Sequence, residues 1–403
     1  MDILLFSKVV PQYLQAPLKM KKKIIRVTTV PKSLGGLLTG QLKFMSQYFE
    51  VVGISSKGIK GSLQKINDDE GVRVIPVEMT RKITPIKDLK AVWKLYKIFK
   101  KEQPFIVHSH TPKAGTLSML AALLARVPHR LHTIAGLPLV EATGFKRFIL
   151  NTVEKITYSC ATKIYPNSYG LVDIILEHKF TSKNKLKVIG KGSSNGIDTN
   201  HFNPTLFTDD FKKDLRNKLN IPNNNFVFIF VGRLVTDKGL NELISAFSKL
   251  NKTHNDIKLL LVGGYEKELD PLLPETEATI NSNKNIITTG WVDDVRPYFS
   301  IANALTFPSY REGFPNVVMQ AAAMELVSIV SNINGCNEII QNKENGIVIP
   351  VKNQQALYDA MVEIYSNKDT AIAMGKASRK LIVANYERKE VWNALLKEYN
   401  SLS

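Results

Sequence analysis

The chain has 403 residues, 44% of them hydrophobic and 22% charged, too long for one ordinary core and too apolar for a disordered polymer. No window reaches the roughly 18–20 uncharged apolar residues of a membrane-spanning helix. Residues 1–200 hold 32 Lys and Arg against 13 Asp and Glu, whereas residues 201–403 hold 22 against 23.

That lopsided charge suits an anionic membrane or a phosphorylated partner facing the first half. Nucleic acid is the weakest candidate and no nucleic-acid partner is expected, because no zinc-finger spacing, aromatic RNA-binding signature or recognition-helix pattern accompanies it. A solvated basic surface with no partner is the plain alternative. Two cysteines, Cys160 and Cys336, stand far apart, which implies a reduced cytosolic chain without a structural disulfide or thiolate metal site.

The first twenty residues carry a short apolar stretch, Ile3 to Phe6 with Val9 and Val10, broken by Lys8 and Pro11. It lacks the organisation of a signal peptide, and a start at Met20 accounts for it equally well. Strands are expected at Ile24–Val30, Val51–Ser55, Val72–Val77, Ile106–His108, Arg130–Thr133, Ile164–Pro166 and Leu186–Ile189. Helical patterns at Ile86–Lys101, Ala114–Leu124 and Lys146–Tyr158 separate them. In the first of these, Ile86, Leu89, Val92, Trp93, Tyr96 and Phe99 recur between lysines. Such a helix either lies on an anionic membrane or packs its stripe on a sheet with the lysines in water.

The pattern restarts with Phe226–Val231, apolar throughout and so a central buried strand. Lys258–Val262, Ile286–Thr288, Ala304–Phe307, Ser328–Val330 and Gly346–Ile349 follow. Strand–helix alternation of this kind predicts an α/β protein with two doubly wound parallel sheets and ligands at the strands' carboxyl ends. The expected units are residues 1–197 and 198–382, with a helix at 383–403.

Three loops carry the candidate chemistry. Gly35 and Gly36 lie between the first strand and a helix, where backbone can approach a ligand closely; a tight turn is the alternative. Gly232, Arg233, Lys238 and Gly239 leave the central strand, and two cations so placed suit a diphosphate. Glu312, Gly313, Phe314, Pro315, Asn316 and Val317, with Gln320 on the helix that follows, aim a carboxylate and helix N–H groups at one region.

Together with Gly335-Cys336-Asn337-Glu338-Ile339-Ile340, these motifs resemble a retaining glycosyltransferase of family 4, of GT-B architecture. The resemblance runs from Lys22 onward and includes His108-Ser109-His110 and Asn195-Gly196-Ile197-Asp198. The stretch from His108 to Gly115 and Ala135-Gly136-Leu137-Pro138 is similar to members that build bacterial surface polysaccharides on polyprenyl diphosphate carriers. It implies two Rossmann-like domains facing a cleft: an acceptor-binding unit, a nucleotide-sugar-binding unit and a last helix, Val383–Tyr399, crossing back.

The resemblance also implies roles. Arg233 and Lys238 would neutralise the donor diphosphate, Glu312 would hold hydroxyls of the transferred sugar, and the backbone from Phe314 to Val317 would surround it. Gly35 and Gly36 would approach the diphosphate and acceptor, and His110 would touch the donor sugar from the opposite domain. Gln320 stands where the family usually has a second glutamate on the ribose. Met324-Glu325-Leu326-Val327 and Asn332 also depart from the family's pattern.

The implied reaction moves a sugar from a nucleotide diphosphate, UDP favoured, to a hydroxyl of a polyprenyl-diphosphate-linked saccharide, with retained anomeric configuration. No cofactor and no metal are expected. The implied place is cytoplasmic, peripheral on the inner face of the cell membrane, with the basic N-terminal unit against an anionic surface. A sugar-nucleotide epimerase and a non-catalytic sugar-nucleotide-binding protein are the rival readings.

Overall fold

The computed structural model describes residues 21–59, 61–80, 84–137, 143–266, 268 and 270–402. Residues 1–20 and Pro138, both singled out in the sequence, lie outside that set. The first sheet comprises β1 (Lys23–Val27), β2 (Glu50–Ser55), β3 (Arg73–Pro76), β4 (Ile106–Ser109), β5 (His129–Ile134) and β6 (Lys163–Pro166). The second comprises β7 (Phe226–Val231), β8 (Ile257–Val262), β9 (Ile286–Gly290), β10 (Ala304–Phe307), β11 (Val327–Ser331) and β12 (Gly346–Ile349). The orders are β3-β2-β1-β4-β5-β6 and β12-β11-β10-β7-β8-β9, all neighbours parallel. Counted from its own first strand, each is the same doubly wound sheet.

Local rules explain the helices between the strands. Pro31, Pro85 and Pro112 each open one, at the position where a missing N–H costs nothing. The helix Pro85–Glu102 ends where Gln103 turns into the left-handed region at φ 46°. Part of its apolar stripe is covered and part is not. Ala91, Val92, Leu95 and Phe99 pack inward, whereas Ile86, Leu89 and Trp93 are exposed.

All six side chains of β7 are buried, alternating between two covered faces. Burying each is worth about 1.5–3 kcal/mol relative to leaving it in water. The first sheet is different: Arg26, His108, Ser109, His110 and His132 are all buried within it.

Three expectations need correction. Leu186–Ile189 forms no strand; a 3₁₀ turn at Lys183–Lys185 leads into a single bridge from Leu186 to Ile164. Gly35 and Gly36 sit inside the helix Pro31–Leu37 and not in the loop before it, because Pro31 starts the helix ahead of them. The last helix is not continuous from Val383: Lys368–Tyr386 and Arg388–Asn400 meet at a break at Glu387.

At that break the chain pairs with the segment leaving the first unit. Ile197 N–H donates to the Tyr386 carbonyl at 2.8 Å, and Arg388 N–H to the Ile197 carbonyl at 2.9 Å. Helix Arg388–Asn400 then packs on the first unit, where Leu395 and Tyr399 join Ile24, Leu34, Ile106 and Leu131 in one core. Trp392 anchors it, donating from Nε1 to Asn195 Oδ1 at 2.6 Å and packing on Phe44. Among the described residues no helix is long and apolar enough to cross a membrane.

Candidate active site

The carboxyl ends of β7, β8 and β10 deliver the site. Arg233 leaves β7 and donates to Glu266 at 2.6 Å, with Asp237 3.9 Å away. Lys238 ends a 3₁₀ turn and donates to Glu312, on the loop after β10. Both partners are largely buried. Ser309 donates a second hydrogen bond to Glu312 at 3.0 Å, which orients the carboxylate. Each of the two cations is paired with a carboxylate, with which a bound polyanion would have to compete.

Two cavities meet at this cluster. The larger, about 370 Å³, lies in the second unit and is lined by Gly232, Pro315, Asn316, Val317 and Gln320, with Trp291 on its rim. Helix Asn316–Ala323 begins there, and its N-cap Pro315 supplies no side-chain hydrogen bond. The smaller, about 220 Å³, lies between the units, with Ala135 to Leu137 and Leu171 on one side and Asp237, Arg311, Gly313 and Asn334 on the other. Arg233, Lys238 and Glu312 line both. Asp237 Oδ1 and Arg311 Nε are buried without a hydrogen-bond partner among the described residues, so the smaller cavity has polar capacity to spare.

The units touch closely here. A Cβ on Gly313 would sit 1.7 Å from the Ala135 carbonyl oxygen, so only glycine permits this approach.

Other candidates are placed elsewhere. His110 is 3% exposed inside the first unit and lines neither cavity. Its Nε2 accepts from Arg26 Nε at 2.9 Å, which puts the neutral ring's proton on Nδ1. Burial, with His108 and the Arg26 charge beside it, holds His110 well below the usual histidine range. Gly35 and Gly36 also line neither cavity, and Phe314 packs on Tyr386 at the linker, 5.3 Å between ring centroids.

Sequence reading missed Glu266, Trp291, Asp237, Arg311 and Asn334. A signal existed for some of them: Arg311 precedes Glu312 directly, and Glu266 and Trp291 follow glycines at strand ends. What the cluster can do is hold a diphosphate between Arg233 and Lys238 and offer Glu312 to a hydroxylated group beside it.

Comparison with known proteins places the chain in a family. The family model described as glycosyl transferases group 1 matches residues 211–381, and the glycosyl transferase 4-like model matches residues 41–168. The capsular polysaccharide biosynthesis glycosyltransferase CapM of Staphylococcus aureus is 33% identical over 94% of this chain and 97% of its own length. The UDP-Gal:alpha-D-GlcNAc-diphosphoundecaprenol alpha-1,3-galactosyltransferase of Escherichia coli is 29% identical over 91% and 93%. Anabaena Alr3699/HepE in complex with UDP-glucose matches in fold with a TM-score of 0.77 at 17% identity, over 94% of this chain and 100% of that one. The chain therefore belongs to the group 1, family 4-like glycosyltransferases and is a transferase of GT-B fold.

Proposed function

We propose that the protein transfers a sugar from a UDP-sugar to a polyprenyl-diphosphate-linked saccharide, with retention, during surface polysaccharide synthesis. The observation that carries this is the sharing of Arg233, Lys238 and Glu312 by the two cavities. The larger takes the nucleoside, the smaller takes the sugar, and the diphosphate spans the cations between them. Arg233 and Lys238 stabilise charge on the departing diphosphate, which in turn assists the incoming hydroxyl on the same face. Glu312 orients the sugar, and Gln320 bonds the ribose. The cations serve the leaving group without a metal.

The relatives support the substrate class, since one is named for capsular polysaccharide and another for a diphosphoundecaprenol acceptor. A rim of exposed apolar residues supports membrane access. Ile86 and Leu89 stand in the first turns of one helix of the first unit, with Trp93 at its middle, and Phe145 and Phe148 begin another. Helices that follow parallel strands start at the strands' carboxyl ends, so both helix starts sit at the cleft end of the unit. The surrounding lysines suit an anionic bilayer.

Incubating the protein with radiolabelled sugar nucleotides and a membrane extract containing polyprenyl-linked saccharides tests this. Label from one UDP-sugar should enter the lipid fraction, unchanged by EDTA. Nucleotide release without lipid labelling would overturn the acceptor assignment.

A further inference from the structure

The motif containing Glu338 has no part in the site described above, yet it touches the other unit directly. Glu338 Oε2 accepts from Tyr169 N–H at 2.9 Å, and Oε1 from Gly170 N–H at 3.0 Å. Those are the first two N–H groups of helix Tyr169–Glu177, which belongs to the first unit. The next N–H of that helix, Leu171, is taken by its own N-cap Ser168 at 3.2 Å. Two of the four orphan donors at this helix start are thus satisfied only when the opposite unit is docked.

Four residues before Glu338, Asn334 packs against Gly170, where a Cβ would come within 2.5 Å of the Asn334 Cβ. Its Nδ2 donates to the carbonyls of Glu312 and Gly313. One short segment therefore grips the first unit with Glu338 and holds the backbone of the donor-binding carboxylate with Asn334. A second contact crosses the cleft nearby: Lys32 Nζ lies 3.6 Å from the centroid of the Trp291 ring, on the rim of the larger cavity.

We infer that Glu338 is a positioning residue, a clamp that couples closure of the two units to the setting of Glu312. Capping a helix with a carboxylate gains from the helix dipole and from charge-assisted hydrogen bonds. When the cleft opens, both N–H groups and the carboxylate return to water, so the clamp favours closure without locking it. Closure in turn fixes the loop Glu312–Gly313 through Asn334.

Two variants remove the clamp from opposite sides. Glu338→Ala deletes the acceptor. Tyr169→Pro deletes one donor at a position where proline is favoured in a helix, after a residue already extended at φ −145° and ψ 156°. The glycosyl-transfer reading enters only through the kinetic readout, so small-angle X-ray scattering of the substrate-free protein judges the clamp independently.

Both variants should scatter as a more open molecule than wild type. Each should lose about tenfold in kcat with UDP affinity within about twofold, and the double variant should lose little more. Glu338→Gln keeps one acceptor oxygen but turns an amide NH2 toward the other N–H, so it should recover only part of the loss. Scattering identical to wild type in both single variants would overturn the clamp. So would a kcat loss that follows loss of UDP binding. Absent transfer in wild type would overturn the catalytic reading and leave the scattering result to decide the clamp.

Discussion

β1 and β7 occupy the same place in two sheets of the same strand order, and their interiors are made of different material. β7 is Phe-Val-Phe-Ile-Phe-Val, buried along its whole length. β1 carries Arg26, fully buried and bonded to His110 and Gln41, neither of them a carboxylate. Around it lie His108, hydrogen-bonded to Tyr399 and Thr133, and His132, hydrogen-bonded to Ser109. The second unit keeps Arg233, Lys238 and Glu312 beyond the strand ends, where they line the two cavities. The first keeps polar groups inside, where they tie the sheet to the linker and to the last helix. One architecture thus hosts an apolar core with charges at its edge and a polar hub.

The sharpest break of this comparison is at the site. Glu312→Ala should lower kcat/KM by about three orders of magnitude or more, because its contacts are made at the reacting sugar. Thermal unfolding should stay near wild type, since among the described residues the Glu312 side chain bonds to Lys238 and Ser309 and its backbone contacts survive the change. Turnover close to wild type would remove Glu312 from the reaction.

Core truncations should rank next. Phe228→Ala in β7 should cost about 3–5 kcal/mol, because a fully buried ring leaves a cavity. His110→Ala should cost less, about 1–3 kcal/mol, mainly by stripping Arg26 Nε of its acceptor. Urea unfolding followed for each unit separately would show the order; a larger loss for His110→Ala would make the polar hub the main support of its sheet.

The smallest effect is a pH dependence confined to the first unit. Burial raises Glu154, on helix Gly144–Cys160, to about 6 from an ordinary 4.5. Below pH 4.5 the group is protonated in both the folded and the unfolded chain and costs nothing. As pH rises through that window the unfolded chain ionises first, so stability falls and levels off above about 6. Glu154→Gln should therefore stabilise the protein by about 1–2 kcal/mol at pH 8 and leave it unchanged at pH 4. Equal effects at both pH values would refute the buried-carboxyl account.

Where the sequence was readable, one rule acted alone. β7 could be found because six apolar residues in a row have one meaning in a two-faced sheet. Arg233, Lys238 and Glu312 could be picked because each follows a strand end, where ligands collect. Leu186–Ile189 misled because β-branched alternation describes a strand's side chains but does not supply a neighbour to pair with. At Gly35-Gly36 two rules competed, and proline's start signal outweighed the glycines' loop signal. Glu266, Trp291 and Asn334 reach the site from distant loops, and His110 is withdrawn by Arg26, 84 residues earlier. Such pairings exist only once the chain has folded.

The helix Arg388–Asn400 has a consequence for how the protein is made. Leu395 and Tyr399 complete a core that includes Ile24 and Leu34, which leave the ribosome about 360 residues earlier. The second unit has its whole sheet available once Ile349 has emerged. The first unit, translated before the second, keeps part of its interior open to chaperones until residues 388–400 have followed.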